Sequence, residues 1–578
     1  MFKKSISGEL KKFIPLSELE IIRNMETPSK EFGDYAFPCF ILAKKLKKDP
    51  KSIAEELEKK INSDKEKQKF KAIDRVETKS GYVNIFLKKE FLLTIVNKIL
   101  KEKQKFGKSQ EGGNKKILLE YSSPNTNKPL HLGHLRNDSL GMSLTRILEN
   151  SSCKVIKTNI INDRGIHICK SMLAYKKFGK NNTPEKAKQK SDHFVGKFYI
   201  LAEKKLREQP ELEQDLREML RKWEAEDKET RALWKKMNLW ALNGIKQTYS
   251  TFGSEFDLLE YESQVYMKAK PLIEEGKKKG IFQKDENGNL IAKLEPEIPN
   301  KVVLRADGTS VYITQDIALT KHRLDKYNPD RIIWIVASEQ NLHFKQLFKI
   351  LGMLGYKGNF YHFAYGLVNL ESGRMKTREG TVIDADNLIQ EVKELAKQEI
   401  IKREKQELGK KELENRALKI ALAAIKFYLI KVEAHKDMLF IPEKSIAFDG
   451  ETGPYLQYTY ARASSILRKS TEKKFKTKTK INHTKNKILD LTQEEKQLLK
   501  TLAKFPETVE LAAKNLAPDS VAKYTYELSK TFNDFYEKCH VLAAEEQVRK
   551  QRLEIVRATK QVLANSMYLL NIPTLEKM

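Results

Sequence analysis

Two histidines three residues apart, His131 and His134, flank Gly133 in the stretch EYSSPNTNKPLHLGHLRN, which follows a hydrophobic run and carries Lys128 ahead of the pair. Imidazoles at this spacing serve three chemistries. They bind zinc, but a zinc protease carries His-Glu-x-x-His on one helix, and no third ligand is evident here. They cap a helix as polar groups. They also face nucleotides: a helix N-terminus attracts phosphate, a glycine lets a purine approach, and ring N–H groups meet oxygens on which charge develops. The tetrapeptide alone leaves the last two open.

The surrounding pattern supplies elements to hold such a site. KILLEY is a buried-type strand, LRNDSLGMSLTRILEN an amphipathic helix and KVIKTNIIND the next strand, an order that begins a parallel βαβ sheet. A charged helical region at about 185–250 interrupts it. Strand-like segments resume with VVLRADGTSVYIT, where Asp307-Gly308 reads as a hairpin turn, and continue with RIIWIVAS and FYHFAYGLV. Ahead of the sheet lies a small α+β unit, with SIAEELEKKI as helix and SGYVNIFL as strand, then a linker, KEKQKFGKSQEGGNKK. The GKS in that linker is no phosphate loop, because Glu102 stands where the first glycine is required. After about Asp386 the chain is nearly all helix, apart from the basic low-complexity stretch TEKKFKTKTKINHTKNK.

At 578 residues the chain exceeds what one core organises, so three or four domains are expected. Its formal charge of +30 fits solvated lysine-rich faces, and equally a polyanionic partner such as nucleic acid. The four cysteines form no Cys-x-x-Cys pair, which argues against a structural zinc or a disulfide framework. No run approaches the roughly 20 apolar residues of a membrane span, and no signal-type segment opens the chain, so a cytoplasmic setting is expected.

These segments resemble a known family. HLGH is similar to the His-Ile-Gly-His signature of class I aminoacyl-tRNA synthetases, and SSPNTNKPLHLGHLRN resembles its arginyl version. INDRGIHICKSMLAY, DGTSVYITQDIA, ASEQNLH, FDGETGPYLQYTYAR and NIPTLEKM resemble that family in the same order. GDYAFPCFILAKKLKKDPKSIAEEL resembles its added tRNA-contacting domain, so the likeness spans nearly the whole chain.

The resemblance implies an α/β fold with four parts. These are an N-terminal α+β domain contacting tRNA (1–108), a Rossmann-like parallel-sheet catalytic domain (115–385) with an insertion at about 185–300, a helical connector (386–450) and an all-α anticodon-binding bundle (451–578). It implies an arginine–tRNA ligase using ATP with Mg2+, without a structural metal, acting as a monomer on L-arginine and tRNA(Arg). Activation would need bound tRNA. The arginine carboxylate would attack the α-phosphate and expel pyrophosphate, so positioning and charge stabilisation replace a protein nucleophile.

Residue by residue, His131 and His134 would contact the phosphates, Gly133 would lie beneath the adenine, and Lys128 would add charge at the same edge. The second signature corresponds to GRMKTREG, with Arg374, Met375 and Lys376; Thr377 replaces the family's second lysine, for which Lys128 would compensate. Tyr312 and Asp316, four apart and so on one face of a helical turn, would meet the guanidinium with Glu262, while Glu120, Asn125 and Gln340 hold the α-amino and α-carboxyl groups. Tyr82 and Asn84 would read an exposed tRNA base, and Tyr455, Tyr458 and Arg462 an anticodon loop. The alternatives are another class I synthetase and a catalytically inactive tRNA-binding paralogue.

Overall fold

The apolar runs of the middle of the chain become strands covered on both faces, which is why they lack polar alternation. In the computed structural model, which describes residues 2–26, 28, 32–64, 70–309, 311–369, 383–403, 408–472 and 490–578, five strands form a parallel sheet. Their spatial order is Phe360–Tyr365, Arg331–Ala337, Lys116–Glu120, Lys154–Ile161, Leu258–Tyr261. The chain enters at the centre, builds outward on one side and returns to the other. The carboxyl ends of Lys116–Glu120 and Arg331–Ala337 therefore form the switch point, where such sheets bind ligands. The helices Ser191–Glu208, Leu212–Glu224 and Lys228–Phe252 fill the charged interruption.

The helix Leu132–Asn150 departs from the amphipathic pattern expected for it. It is buried on every side, including Arg136, Asn137, Asp138, Ser139, Ser143 and Thr145. Polar residues around a helix read as a solvated face, but here they are partnered inside. Asn137 accepts the Ser122 N–H at 2.7 Å and donates to Ile335 O at 2.8 Å, and so fastens the helix to one strand and to the loop that leaves another. Arg136 donates to four carbonyls, those of Gly366, Leu367, Ala434 and Lys436. Its guanidinium thus pins Gly366 and Leu367 to the stretch at 434–436 instead of facing a ligand. At Gly141 the absent side chain makes room for the Tyr121 ring, since a Cβ would lie 2.4 Å from Tyr121 Cγ.

Two further expectations are corrected. Asp307-Gly308 does not join two strands. Gly308 (φ +80) sits in a tight turn after the strand Lys301–Leu304, and the chain then starts the helix Tyr312–Tyr327. The strand pairs instead with Leu290–Ala292. The lysine-rich linker is also not loose: Phe106 is buried and stacks on Phe505 with ring centroids 5.9 Å apart, while Gly112 N–H reaches Ser151 O at 2.7 Å.

The first unit is a three-stranded antiparallel sheet, Tyr35–Pro38, Tyr82–Leu87, Ile73–Lys79, covered by helices that include Pro50–Asp64. Helices dominate beyond Ala385 and end in the bundle Gly453–Glu472, Gln493–Asn515, Pro518–Lys538 and Glu546–Leu569. One hydrophobic core runs through both units, with Ile95, Ile99 and Phe106 packed among Leu498, Leu502 and Val562. The basic stretch around 473–489 lies outside the described residues. No helix among the described residues is long and apolar enough to cross a membrane.

Candidate active site

The strand Lys116–Glu120 delivers the chain into a loop that ends at His131, the N-cap of the buried helix. His131 Nδ1 accepts the Gly133 N–H at 3.2 Å, and His134 Nδ1 accepts the His131 N–H at 3.2 Å, with the rings 4.0 Å apart. The capping and ligand-facing readings are therefore compatible. Each ring uses Nδ1 for the backbone, which places its proton on Nε2. Burial, reinforced by the Lys128 charge, holds His131 down to about 3; burial, with His131 and Lys128 adding, holds His134 well below its ordinary value. Two neutral imidazoles result, each with an Nε2–H to donate. A Cβ at Gly133 would press on His131 at 3.0 Å, so the glycine is already required by the cap. Burial lowers Lys128 as well.

Lys128 and His131 line a cleft of about 340 Å³ with His193, Gly196, Lys197 and Asp384. Its far wall joins the histidine segment through backbone bonds, Leu132 N–H to Ile383 O at 3.1 Å and Ala385 N–H to Leu130 O at 3.0 Å. Behind it, Asp192, His193 and Asp386 are close enough together to hold a cation, but the Lys190 ammonium already bridges Asp192 (3.0 Å) and Asp386 (2.6 Å). Arg374, Met375, Lys376 and Thr377 lie outside the described residues.

Across the sheet edge the carboxylates gather. Glu262 is buried and is pushed up to about 7, chiefly by burial, with Arg164 opposing and Asp163 and Asp316 adding. Tyr312 and Asp316 start the helix Tyr312–Tyr327, and Glu262 is near enough to bear on the Tyr312 hydroxyl. Asp316 Oδ2 is 2.7 Å from His343 Nε2, a partner that sequence reasoning had not singled out. Glu120 lies buried within reach of Asp316's charge, and Asn125 bridges Asn162 on the same edge. Gln340 is exposed on the short turn after Arg331–Ala337, on the switch-point side. Arg323, which contacts Glu120, and Glu260 on its other side were also missed; the only hint was that Arg323 falls seven residues after Asp316, on the same helical face.

Two distant surfaces hold the remaining residues. Tyr82 and Asn84 line a cleft of about 290 Å³ with Glu26, Phe32, Lys79 and Ser80, and Lys79 Nζ sits 4.1 Å over the Phe32 ring. Tyr458 and Arg462 line a cavity of about 1010 Å³, where the guanidinium lies between the Tyr458 and Tyr536 rings (4.7 and 4.5 Å). Arg462 donates to Asn533 Oδ1 at 2.6 Å and Tyr458 OH at 3.0 Å; Tyr455 accepts from Asn533 at 2.9 Å. Tyr460 is buried and turned towards Glu576.

A parallel sheet divided by a helical insertion, with paired histidines on the helix at its switch point and a helical bundle behind, is the architecture of class I aminoacyl-tRNA synthetases. The family model "tRNA synthetases class I (R), catalytic domain" matches residues 95–441, with "Arginyl tRNA synthetase N terminal domain" at 1–87 and "DALR anticodon binding domain" at 456–578. The chain belongs to the arginyl-tRNA synthetase family. It is 46% identical to an arginine–tRNA ligase of Treponema denticola, over 96% of this chain and 95% of the relative. It is 41% identical to that of Borreliella afzelii, over 98% and 96%. The solved arginyl-tRNA synthetase of Thermus thermophilus superimposes with a TM-score of 0.77 at 26% identity, covering 100% of this chain and 99% of that one.

Proposed function

We propose that this protein is an arginine–tRNA ligase that activates L-arginine with ATP and Mg2+ and passes it to the 3′-terminal adenosine of tRNA(Arg). The observation that carries this reading is the pair of neutral Nε2–H donors on one side of the switch point, opposite the carboxylates Glu120, Glu262 and Asp316. His131 and His134 donate to the phosphates as charge builds on them, Gly133 lies under the adenine and Lys128 adds a cation. Arg374, Met375 and Lys376 act from the second signature. Asp316 and Glu262 receive the guanidinium beside Tyr312, while Glu120, Asn125 and Gln340 hold the α-amino and carboxylate groups.

Two aromatic and cationic surfaces support a tRNA partner. The Tyr82–Asn84 cleft is sized for one unstacked base, and the Arg462–Tyr458 cavity, with Tyr455 behind it, suits stacking and phosphate contact. In this reading residues 1–108 and 451–578 grip tRNA, 115–385 carry the chemistry and 386–450 connect them, in a cytoplasmic monomer. Pyrophosphate exchange measured with each amino acid, with and without tRNA, is the test. Exchange specific to arginine is expected; specificity for another amino acid, or none at all, overturns the proposal.

A further inference from the structure

Arg323 is fully buried, and its guanidinium stands between carboxylates from two different strands. Nη2 lies 2.5 Å from Glu120 Oε2 and 2.6 Å from Glu260 Oε2, and Nε donates to the same Glu260 oxygen at 3.0 Å. The Thr158 hydroxyl, also donating to Glu260 Oε2, closes the group from the intervening strand. Arg323 sits two turns beyond Asp316 on the helix Tyr312–Tyr327, so it ties that helix to the sheet directly below Asp316. Three buried charges are a poor way to stabilise a fold, because well-packed apolar groups of similar volume do as well or better. The group borders the substrate pocket, which gives it another use.

We infer that Arg323 is a positioning residue for arginine binding: shared between Glu120 and Glu260, it fixes the Glu120 carboxylate at the pocket floor and sets how strongly that carboxylate attracts the substrate's ammonium group. This rests on the proposed placement of Glu120 at the α-amino group. The charges facing Glu120 are Arg323, Glu260 and Asp316. Burial pushes Glu120 above the usual carboxylate range, with Arg323 opposing and the two acids adding. At Glu260 burial acts the same way, but the Arg323 charge and the hydrogen bonds from Arg323 and Thr158 outweigh it and hold that carboxyl below its ordinary value. Arg323 therefore serves Glu260 more fully than Glu120. An ammonium group arriving beside Glu120 then supplies the compensating charge that Arg323 leaves incomplete.

The test compares pH profiles of kcat/KM for arginine, in tRNA-dependent pyrophosphate exchange by the full chain. Arg323→Met should raise the arginine KM roughly tenfold or more, leave the ATP KM unchanged and move the acid limb to higher pH. Glu260→Gln should move that limb the opposite way, because Arg323 is then committed to Glu120. Arg323→Lys should fall between wild type and Arg323→Met. Folded variants that all keep the wild-type limb overturn the inference; if Arg323→Met fails to fold, the Glu260→Gln limb decides. Glu120→Gln separates the layers. A normal arginine KM there removes Glu120 from the substrate, and the inference with it. A raised KM there, with an unmoved limb in Glu260→Gln, overturns the inference alone.

Discussion

His134 Nδ1 accepts the backbone N–H of His131, so the first signature histidine fixes the ring of the second before any ligand arrives. With His131 Nδ1 bonded to Gly133 N–H, both rings are fixed as Nε2–H tautomers. Imidazole nitrogen NMR of the free protein should show two neutral Nε2–H rings that do not titrate between about pH 5 and 8, since burial holds His131 at about 3. Replacing either histidine with Ala should lower kcat for exchange roughly tenfold to thousandfold with little change in tRNA affinity. Titration near neutrality, or unchanged exchange in both variants, would contradict the assignment.

Lys128→Ala should behave like the histidine variants, because burial beside His131 makes its charge effective at the same edge. Adding Thr377→Lys to that variant should restore part of the exchange rate. A silent Lys128→Ala would reduce the residue to a loop charge.

Asp316→Asn should raise the arginine KM and relax discrimination against citrulline, whose ureido group is neutral. The Asp316 side chain is 38% exposed and hydrogen-bonded to His343, so the loss should resemble that of one charge-assisted hydrogen bond, about 1.5–3 kcal/mol. His343→Ala should act in the same direction more weakly. Normal rejection of citrulline by Asp316→Asn would move that residue out of the pocket.

Glu262 makes stability depend on pH. Its folded value of about 7 lies above its ordinary 4.5, so between these values the native state binds more protons than the unfolded chain. Stability therefore falls as pH rises through that window, by up to about 3 kcal/mol from this group. Glu262→Gln should flatten that fall, with Tm at pH 8 above wild type, while arginine binds more weakly. A denaturation series at pH 5 and 8 decides it; an unchanged difference between the two pH values would show that the carboxyl titrates normally.

Exchange should fall with salt in step with tRNA affinity, given the charge of +30 and the resemblance's implication that activation needs tRNA. Filter binding and exchange measured across one salt series make the comparison, and exchange that outlasts binding would uncouple them. Cutting the chain at about Glu451 is a poor substitute for that measurement. Gln457 donates to Lys419 O and Pro573 O, and Leu575 packs among Leu422 and Ile425, so the cut strips the connector's own core.

The parts of the fold set by local apolar runs were legible in the sequence. KILLEY, RIIWIVAS and FYHFAYGLV became neighbouring parallel strands, as their buried character required. What failed was the judgement of polar residues whose partners lie far along the chain. Arg136 follows the second histidine closely, yet it serves carbonyls some 230 to 300 residues away, which no local pattern announces. Arg323 and His343 were invisible for the same reason: no spacing rule connects Glu120 with position 323, or Asp316 with position 343. Asp307-Gly308 shows the converse limit. A turn dipeptide marks a change of direction without saying whether a strand or a helix follows.

The stacking of Phe106 on Phe505 has a consequence for how the protein is made. The N-terminal unit leaves the ribosome about 400 residues before the helix that completes its core. At about 5–20 residues per second, the apolar face of Ile95, Ile99 and Phe106 stands uncovered for roughly 20–80 s. During that interval it is an attachment point for chaperones and for other nascent chains. Substitutions along this seam are therefore felt as lost soluble yield before they are felt as lost catalysis.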